Sequence, residues 1–337
     1  MPHKRHNSFA MPGQRLIEFD IMRGLLIILV VIGHSGVKMP WTSWVEPHWF
    51  RMPAFFMLSG YFMRELCCDA HTLRRRAVRL VLPWIAYSVL MWCLFHPEPL
   101  LKNVARTVYA GSYNITFYSF PWWFVNALMV SLIAFALLKR LNRGGVILTV
   151  ILCYTLAHVQ PLWRALPIPP PWGIDNAIGA IPYLYIGYRL RGHLQPRTDA
   201  PCSWHGWAIA WGIALLVCAS FSILNATLSW GYKLDMKSMV YTNALLDLIV
   251  PLAFTYLTYL ISLLLARISG LRAVLAYVGV ACMTVFYVHA ATLYIIRPLW
   301  GGVWAIVLSV LIGVGLHALW STNRWTRTLF LGEWKKK

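Results

Sequence analysis

The sequence predicts an all-α polytopic membrane protein with about ten transmembrane helices and both termini in the cytoplasm. Aliphatic, aromatic and sulfur-containing residues make up 59% of the 337 residues, and 12% are charged. Soluble domains carry about 25% charged residues, so much of this apolar surface must face lipid. The 18 Trp and 16 Tyr are typical of proteins that cross a membrane interface.

Ten apolar segments account for the helices. A transmembrane helix needs about 20 mostly apolar residues, and the predicted spans are 21–38, 48–63, 77–95, 121–138, 145–160, 172–190, 207–227, 240–265, 273–295 and 300–320. They divide the chain into a cytoplasmic segment 1–20, a transmembrane domain 21–320 and a basic cytoplasmic tail 321–337. The longest loop, about 96–120, is predicted to hold an interfacial segment.

The basic residues indicate which side each loop occupies. With a cytoplasmic N-terminus, 22 of the 30 Lys and Arg fall in inner segments and eight in outer ones. This asymmetry satisfies the positive-inside rule, and an even number of spans places both ends inside. The formal charge of +19 forms neither one face nor one tail, which argues against a nucleic-acid partner.

The first predicted helix carries two costly polar residues, Arg23 and His34. They are eleven residues apart, which places them on one helical face, about 16 Å apart along the axis. Ionisable residues inside a span indicate function by default. The alternatives are that Arg23 is a snorkelling anchor paired with Asp20, and that His34 is a hydrogen-bonded packing residue.

Two further motifs follow the first helix. Ser59-Gly60 lies in an apolar run and allows a close helix approach, which we expect to be made to the first helix, although packing alone explains it equally well. A basic cluster stands at the inner mouth of the third span and comprises Arg74, Arg75, Arg76 and Arg79. Arginine suits phosphate because its planar fork donates two parallel hydrogen bonds; contact with lipid headgroups is the alternative.

Weaker signals lie farther along the chain. Trp122 and Trp123 precede Asn126 at the outer start of the fourth span, and an aromatic belt is the simpler explanation for them. His289 is a second intramembrane histidine near the outer leaflet. Asp175, Asn176 and Asp247 are buried polar candidates without a predicted role. The seven cysteines show no zinc-site spacing, so no metal is predicted.

In order and spacing, these residues resemble the acyltransferase-3 family of integral membrane acyltransferases over nearly the whole chain. The resemblance rests on Asp20-x-x-Arg23-Gly24 followed by His34, on Phe55-Phe56-x-x-Ser59-Gly60-Tyr61, and on the arginine cluster before Leu82-Pro83. Gly33-His34-Ser35 and Arg51-Met52-Pro53 look most like the branch that contains fucose 4-O-acetylases. The chain departs from that branch at Arg51, where His is frequent, at Cys282, where Ser or Thr is usual, and at Val280, where a basic or polar residue is usual.

The resemblance implies transfer of an acyl group, usually acetyl, from cytoplasmic acetyl-CoA to a hydroxyl of an envelope glycan or lipid-linked saccharide. It implies an integral protein of the bacterial inner (plasma) membrane, in contact with membrane lipid. His34 and Arg23 become the expected catalytic residues, with His34 acting as general base or carrying the acyl group transiently. The basic cluster would bind the coenzyme A phosphates. The expected substrate-binding residues are Ser59, Tyr61, Trp122, Trp123, Asn126 and His289.

A transporter or flippase for a lipid-linked sugar is the alternative function. In that case His34 and Asp247 would relay protons across the membrane. The sequence shows no inverted repeat of the kind many transporters contain.

Overall fold

In a computed structural model, the apolar runs of the chain form helices almost wherever the sequence predicts them. The structure describes residues 16–63, 70–95, 99–111, 116–138, 140–159, 162–163, 165–191, 204–228 and 230–333. The predicted N-terminal segment and basic tail therefore lie partly outside the described residues.

The described residues contain thirteen α-helices and a short β-hairpin. The helices are α1 (Ile17–Ser35), α2 (Arg51–Tyr61), α3 (Ala70–Phe95), α4 (Leu100–Tyr109), α5 (Trp123–Leu138), α6 (Arg143–His158), α7 (Ile174–Leu190), α8 (Trp204–Leu228), α9 (Leu246–Leu265), α10 (Ser269–Val280), α11 (Cys282–Trp300), α12 (Gly302–Thr322) and α13 (Arg324–Leu331). The antiparallel hairpin pairs β1 (Leu234–Asp235) with β2 (Val240–Tyr241). Short 3₁₀ turns cover Pro40–Ser43, Pro47–Trp49 and Pro171–Gly173.

Five of these helices are long and apolar enough to cross a membrane by length and composition. They contain Val78–Phe95, Ala208–Leu228, Leu246–Leu265, Cys282–Trp300 and Gly302–Thr322. The predicted all-α membrane fold is therefore confirmed. The number of ten spans and the cytoplasmic position of both termini stay predictions.

Two predicted spans differ in detail from the structure. The span 273–295 is two helices, α10 and α11, which meet at Ala281, where the backbone ψ is −1°. The span 240–265 begins as strand β2, and its helix starts only at Leu246. The side chain of Asn243 accepts from the backbone N–H groups of Leu245 and Leu246, so a local cap sets the helix start inside an apolar run.

Amphipathic helices occupy two regions outside the predicted spans. Helix α4 lies in the loop 96–120 that was predicted to hold an interfacial segment. Helix α13 lies in the predicted tail and packs against α3, and the backbone of Arg79 comes close to Gly332 just beyond α13. The ring of Phe330 stacks on Trp320 at 4.3 Å between centroids. The tail is therefore part of the folded domain as far as the structure describes it.

Glycines bring α1 and α2 into backbone contact with two other helices. A methyl group on Gly24 of α1 would overlap the carbonyl oxygen of Leu275 in α10, and one on Gly279 of α10 would overlap that of Asp20. Gly60 of α2 lies in the same way against Leu184 of α7. The close approach predicted at Ser59-Gly60 is thus made to α7 rather than to the first helix.

Segments predicted to share a side of the membrane meet at the same end of the helices. At the outer end, the Tyr109 hydroxyl donates to the carbonyl of Pro169 at 2.9 Å, which joins two predicted outer loops. At the inner end, Arg191 donates to the carbonyl of Met63 at 3.3 Å, which joins two predicted inner loops. Along α1, Arg23 lies in the first half, toward the predicted inner side, and His34 lies in the last turn, toward the predicted outer side.

Candidate active site

His34 lies in the last turn of α1 and meets His289 of α11. The Nδ1 atom of His34 is 2.8 Å from the Nε2 atom of His289. The two rings are nearly parallel, at 12°, with centroids 5.1 Å apart. His289 is fully buried, whereas His34 is partly exposed. Two histidines 255 residues apart in sequence thus form one unit, which we call the histidine pair.

Backbone carbonyls determine how the histidine pair is protonated when both rings are neutral. The Nδ1 atom of His289 lies 2.8 Å from the carbonyl oxygen of Phe286 and 3.2 Å from that of Val285. Carbonyl oxygens only accept, so this Nδ1 carries the proton and the Nε2 of His289 must accept. His34 then donates from Nδ1, which leaves the lone pair on its Nε2. The pair resembles the base and orienting residue of a catalytic triad, with a neutral imidazole as the orienting group.

A cavity of about 670 Å³ opens beside His34. Its walls include Phe117, Phe120, Tyr294 and Arg297. The Phe120 ring meets the His34 ring edge to face at 5.0 Å, and Phe117 stacks on Tyr294 at 4.3 Å. Apolar walls with a few polar groups are typical of small-molecule sites, so a ligand in this cavity would contact the imidazole of His34.

Arg51 is a buried cation beside the histidine pair that the sequence analysis did not propose as a site residue. It is 2% exposed, and its Nη1 donates to the carbonyl of Leu29 at 3.0 Å. The Nε atom has no hydrogen-bond partner, and no carboxylate of the described residues lies within ion-pair distance of the guanidinium. Any side chain on Gly33 would overlap this guanidinium. Gly33 therefore allows Arg51 to lie against the residue that precedes His34.

Lys237 is a second cation near the pair, and the turn of the β-hairpin holds it in place. Asn176 donates from Nδ2 to the carbonyls of Met236 at 2.8 Å and Lys237 at 3.1 Å. The backbone N–H of Lys237 donates to Asp235 at 3.0 Å. The ammonium lies 5.1 Å from the centroid of the Phe120 ring, and burial lowers the pKa of Lys237. Asn176, a polar candidate without a role in the sequence, is thus the anchor of this turn.

Arg23 lies at the other end of α1 and does not contact His34. Its guanidinium is 3.1 Å from the carboxylate of Asp20 and lies 4.6 Å from the centroid of the Phe62 ring. The pairing with Asp20 was the structural alternative to a catalytic role. The geometry shows this pairing, and the Arg23 side chain is 33% exposed.

Five of the predicted substrate-binding residues lie away from the walls of the cavity. The Ser59 hydroxyl donates to the carbonyl of Phe55 in its own helix at 2.8 Å. The Tyr61 ring packs on Phe19 with centroids 4.5 Å apart. The sixth residue, His289, is the partner of His34.

The tryptophans of the fourth span are buried rather than exposed as an aromatic belt. Trp122 is 1% exposed, and its indole N–H donates to the carbonyl of Tyr287 at 3.2 Å. Trp123 is also buried. Asn126 is 1% exposed, and its Nδ2 has no hydrogen-bond partner among the described residues. Trp122 therefore contacts α11 two positions before His289.

The predicted phosphate-binding cluster lies in the first turns of α3. The side chains of Arg74, Arg75 and Arg76 lie outside the described residues. Arg79 is exposed one turn farther along the helix.

Asp247 belongs to a different cluster from His34. Its carboxylate lies 3.1 Å from Nε2 of His158, and the Tyr183 hydroxyl donates to its backbone carbonyl at 2.5 Å. His34 and Asp247 are therefore not in direct contact. In the transporter alternative, a proton could not pass directly from one to the other.

The chain is similar to one protein family and to three curated bacterial proteins. The acyltransferase-3 family profile, described as an acyltransferase domain, matches residues 16–322. Nodulation protein NolL of Mesorhizobium japonicum is 28% identical over 39% of this chain and 38% of its own length. Nodulation protein NolL of Sinorhizobium fredii is 34% identical over 27% of each chain. Inner membrane protein YcfT of Escherichia coli is 26% identical over 52% of this chain and 56% of its own length.

These matches cover between 27% and 56% of the relatives' own lengths. No solved structure matches the chain. The family profile, in contrast, spans nearly all of it and includes both histidines, the buried arginine and the hairpin. The chain therefore belongs to the acyltransferase-3 family of membrane acyltransferases.

Proposed function

We propose that this chain transfers an acyl group, normally acetyl, from cytoplasmic acetyl-CoA to a hydroxyl of an envelope glycan or lipid-linked saccharide. The observation that carries the proposal is the histidine pair at the wall of the 670 Å³ cavity. In this arrangement the lone pair of His34 is on Nε2, and the cavity that His34 lines is large enough for a saccharide. The name of the Escherichia coli relative, an inner membrane protein, supports a location in the bacterial inner membrane.

In the general-base route, Nε2 of His34 removes the proton of the acceptor hydroxyl as its oxygen attacks the thioester carbonyl. The tetrahedral intermediate collapses, the C–S bond breaks, and the imidazolium returns the proton to the departing thiolate. The products are the acyl ester and coenzyme A. His289 accepts the Nδ1 proton of His34 in a hydrogen bond throughout, which orients the ring and supports the transient imidazolium.

The same nitrogen also permits a covalent route. Nε2 of His34 attacks the thioester, coenzyme A leaves, and the acyl-imidazole passes its acyl group to the acceptor. The two routes differ when acetyl-CoA is supplied without acceptor. Only the covalent route adds one acetyl group to the protein, which intact-protein mass spectrometry would detect.

The donor is expected to enter from the end of α1 opposite to the acceptor. Arg23 lies about three turns from His34, roughly 16 Å along the helix, and the arginines of α3 stand at the predicted cytoplasmic side. This separation supports a site in which Arg74, Arg75, Arg76 and Arg79 hold the phosphates of coenzyme A and Arg23 lies along the path of the pantetheine arm.

Mass spectrometry of envelope glycans and lipid-linked saccharides, in cells with and without the gene, tests the function. An acetyl-sized mass increment that depends on the gene supports the enzyme. His34→Ala should abolish the increment while the protein stays in the membrane. His317→Ala is the matched control, since His317 is a buried histidine of α12 near Thr284 and does not line the cavity. Movement of a lipid-linked sugar without consumption of thioester would identify a flippase instead.

A further inference from the structure

Two cations lie at or next to the cavity beside His34 without an ion-pair partner among the described residues. Arg297, in the last turn of α11, lines the cavity, and Lys237 of the β-hairpin lies over the ring of Phe120, which is part of the cavity wall. Neither cation has a carboxylate within ion-pair distance among the described residues. An exposed cation usually finds a counter-charge in solution, but one cation in the cavity wall and a second against a ring of that wall favour an anionic ligand beside the base.

Hydrogen bonds to its backbone, rather than an ion pair of its ammonium, fix the position of Lys237. Asn176 and Asp235 bind the main chain on either side of it, so its direction does not depend on an ion pair. Its ammonium lies over the face of Phe120, and the edge of the same ring meets His34. One aromatic side chain thus separates the cation from the base.

Arg297 lines the cavity directly. Its guanidinium packs against Gly36, two residues beyond His34, and the side chain is exposed. The guanidinium fork can donate two parallel hydrogen bonds to a phosphate or a carboxylate.

The carboxylate in the same turn as Lys237 is engaged in the hydrogen bonds of that turn. Asp235 lies in the same turn as Lys237, but its two oxygens accept from the backbone N–H of Lys237 and from the backbone and hydroxyl of Ser238. Its ordinary function is to close the turn, and it forms no ion pair with the ammonium among the residues that the structure describes.

We propose that the acceptor is an anionic saccharide whose phosphate or carboxylate is bound by Lys237 and Arg297 while one of its hydroxyls reaches Nε2 of His34. This inference rests on the proposed function. The aromatic walls formed by Phe117 and Tyr294 would contact the apolar face of the sugar. The donor's phosphates are an unsuitable occupant because their expected site is the arginine cluster at the opposite end of α1.

Binding to the full-length protein in nanodiscs tests the proposal with three probes of one scaffold. Methyl glucoside is neutral, methyl glucuronide carries a carboxylate, and glucose 1-phosphate carries a phosphate. We expect one or both anionic probes to bind at least tenfold more tightly than the neutral probe, with a preference that weakens as salt is added. The two anionic probes separate an acidic sugar from a phosphate-linked one.

Variants that remove one charge at a time test whether Lys237 and Arg297 cause the preference for anionic probes. Lys237→Gln and Arg297→Gln should each weaken binding of the preferred anion by about tenfold and leave methyl glucoside unchanged, and Lys237→Arg should restore most of the affinity. Lys233→Gln is the matched control, since Lys233 is exposed on the same hairpin and its backbone binds Thr242.

Three outcomes would overturn the inference. They are equal binding of all probes, failure of every probe to bind, and loss of coenzyme A affinity rather than saccharide affinity in the two variants. The last outcome would assign the cations to the donor. None of these results changes the glycan mass comparison, so failure of this inference is distinguishable from failure of the proposed function.

Discussion

Replacing His289 tests whether the histidine pair acts as a unit. His289→Ala removes the acceptor of the His34 Nδ1 proton and leaves His34 free to rotate and to exchange tautomers. Loss of one partner in a buried hydrogen bond costs about 1–3 kcal/mol. If this free energy is lost from the transition state alone, kcat falls about 5- to 150-fold, at 1.36 kcal/mol per factor of ten. The KM for the acceptor should not change, because His289 does not line the cavity.

Two amide variants of His289 distinguish loss of the orientation of His34 from loss of folding. The amide of Gln reaches the position of a histidine Nε2, whereas the amide of Asn reaches only the position of Nδ1. His289→Gln can still accept from His34, so we expect it to keep most of the activity, and we expect His289→Asn to resemble His289→Ala. The assay is acyl transfer from labelled acetyl-CoA by purified protein in nanodiscs. Equal activity of the Gln and Asn variants, whether high or low, would refute an orienting role for His289.

Three further predictions concern the donor site, the packing of α1 and the hairpin. Replacing the arginines at 74–76 by Gln should raise the KM for acetyl-CoA and not that for the acceptor; the reverse result would remove the phosphate assignment. Gly279→Ala should lower the free energy of unfolding by about 1–3 kcal/mol through overpacking, measured by thermal unfolding in detergent, whereas Gly212→Ala, with open space around it, should not. Asn176→Ala should accelerate amide hydrogen exchange in the β-hairpin about tenfold or more; Asn126→Ala, which removes an amide nitrogen without a hydrogen-bond partner, is the control.

Apolar runs predicted most of the fold because lipid imposes one strong constraint on composition. Helices α5, α6, α7, α8 and α12 match their predicted spans closely. The errors arose where a local backbone feature overrides hydropathy. Asn243 caps α9 inside an apolar run, and the break between α10 and α11 at Ala281 has no proline or charge to mark it.

The site was predictable only in part, because spacing along one helix says nothing about which helices meet. His34 could be proposed from its own helix, but its contact with His289 depends on how α1 and α11 pack. Arg51 and Lys237 were counted only as outer-loop charges that set orientation. A signal was present for Arg51, which stands at the start of the motif Arg51-Met52-Pro53 in a position where the related branch often has His. Nothing in the sequence marked Lys237, whose position depends on the hairpin.

The glycine contact between α1 and α10 determines the position of His34 relative to His289, although it lies far from both histidines. If α1 slipped by one residue at Gly24, the whole helix would advance about 1.5 Å and turn by about 100°. His34 would then face away from His289, and their 2.8 Å contact would be lost. The packing of α1 at Gly24 therefore sets the position of His34 at the far end of the same helix. A substitution at Gly24 or Gly279 would resemble an active-site lesion in an activity assay, although neither residue lies at the cavity.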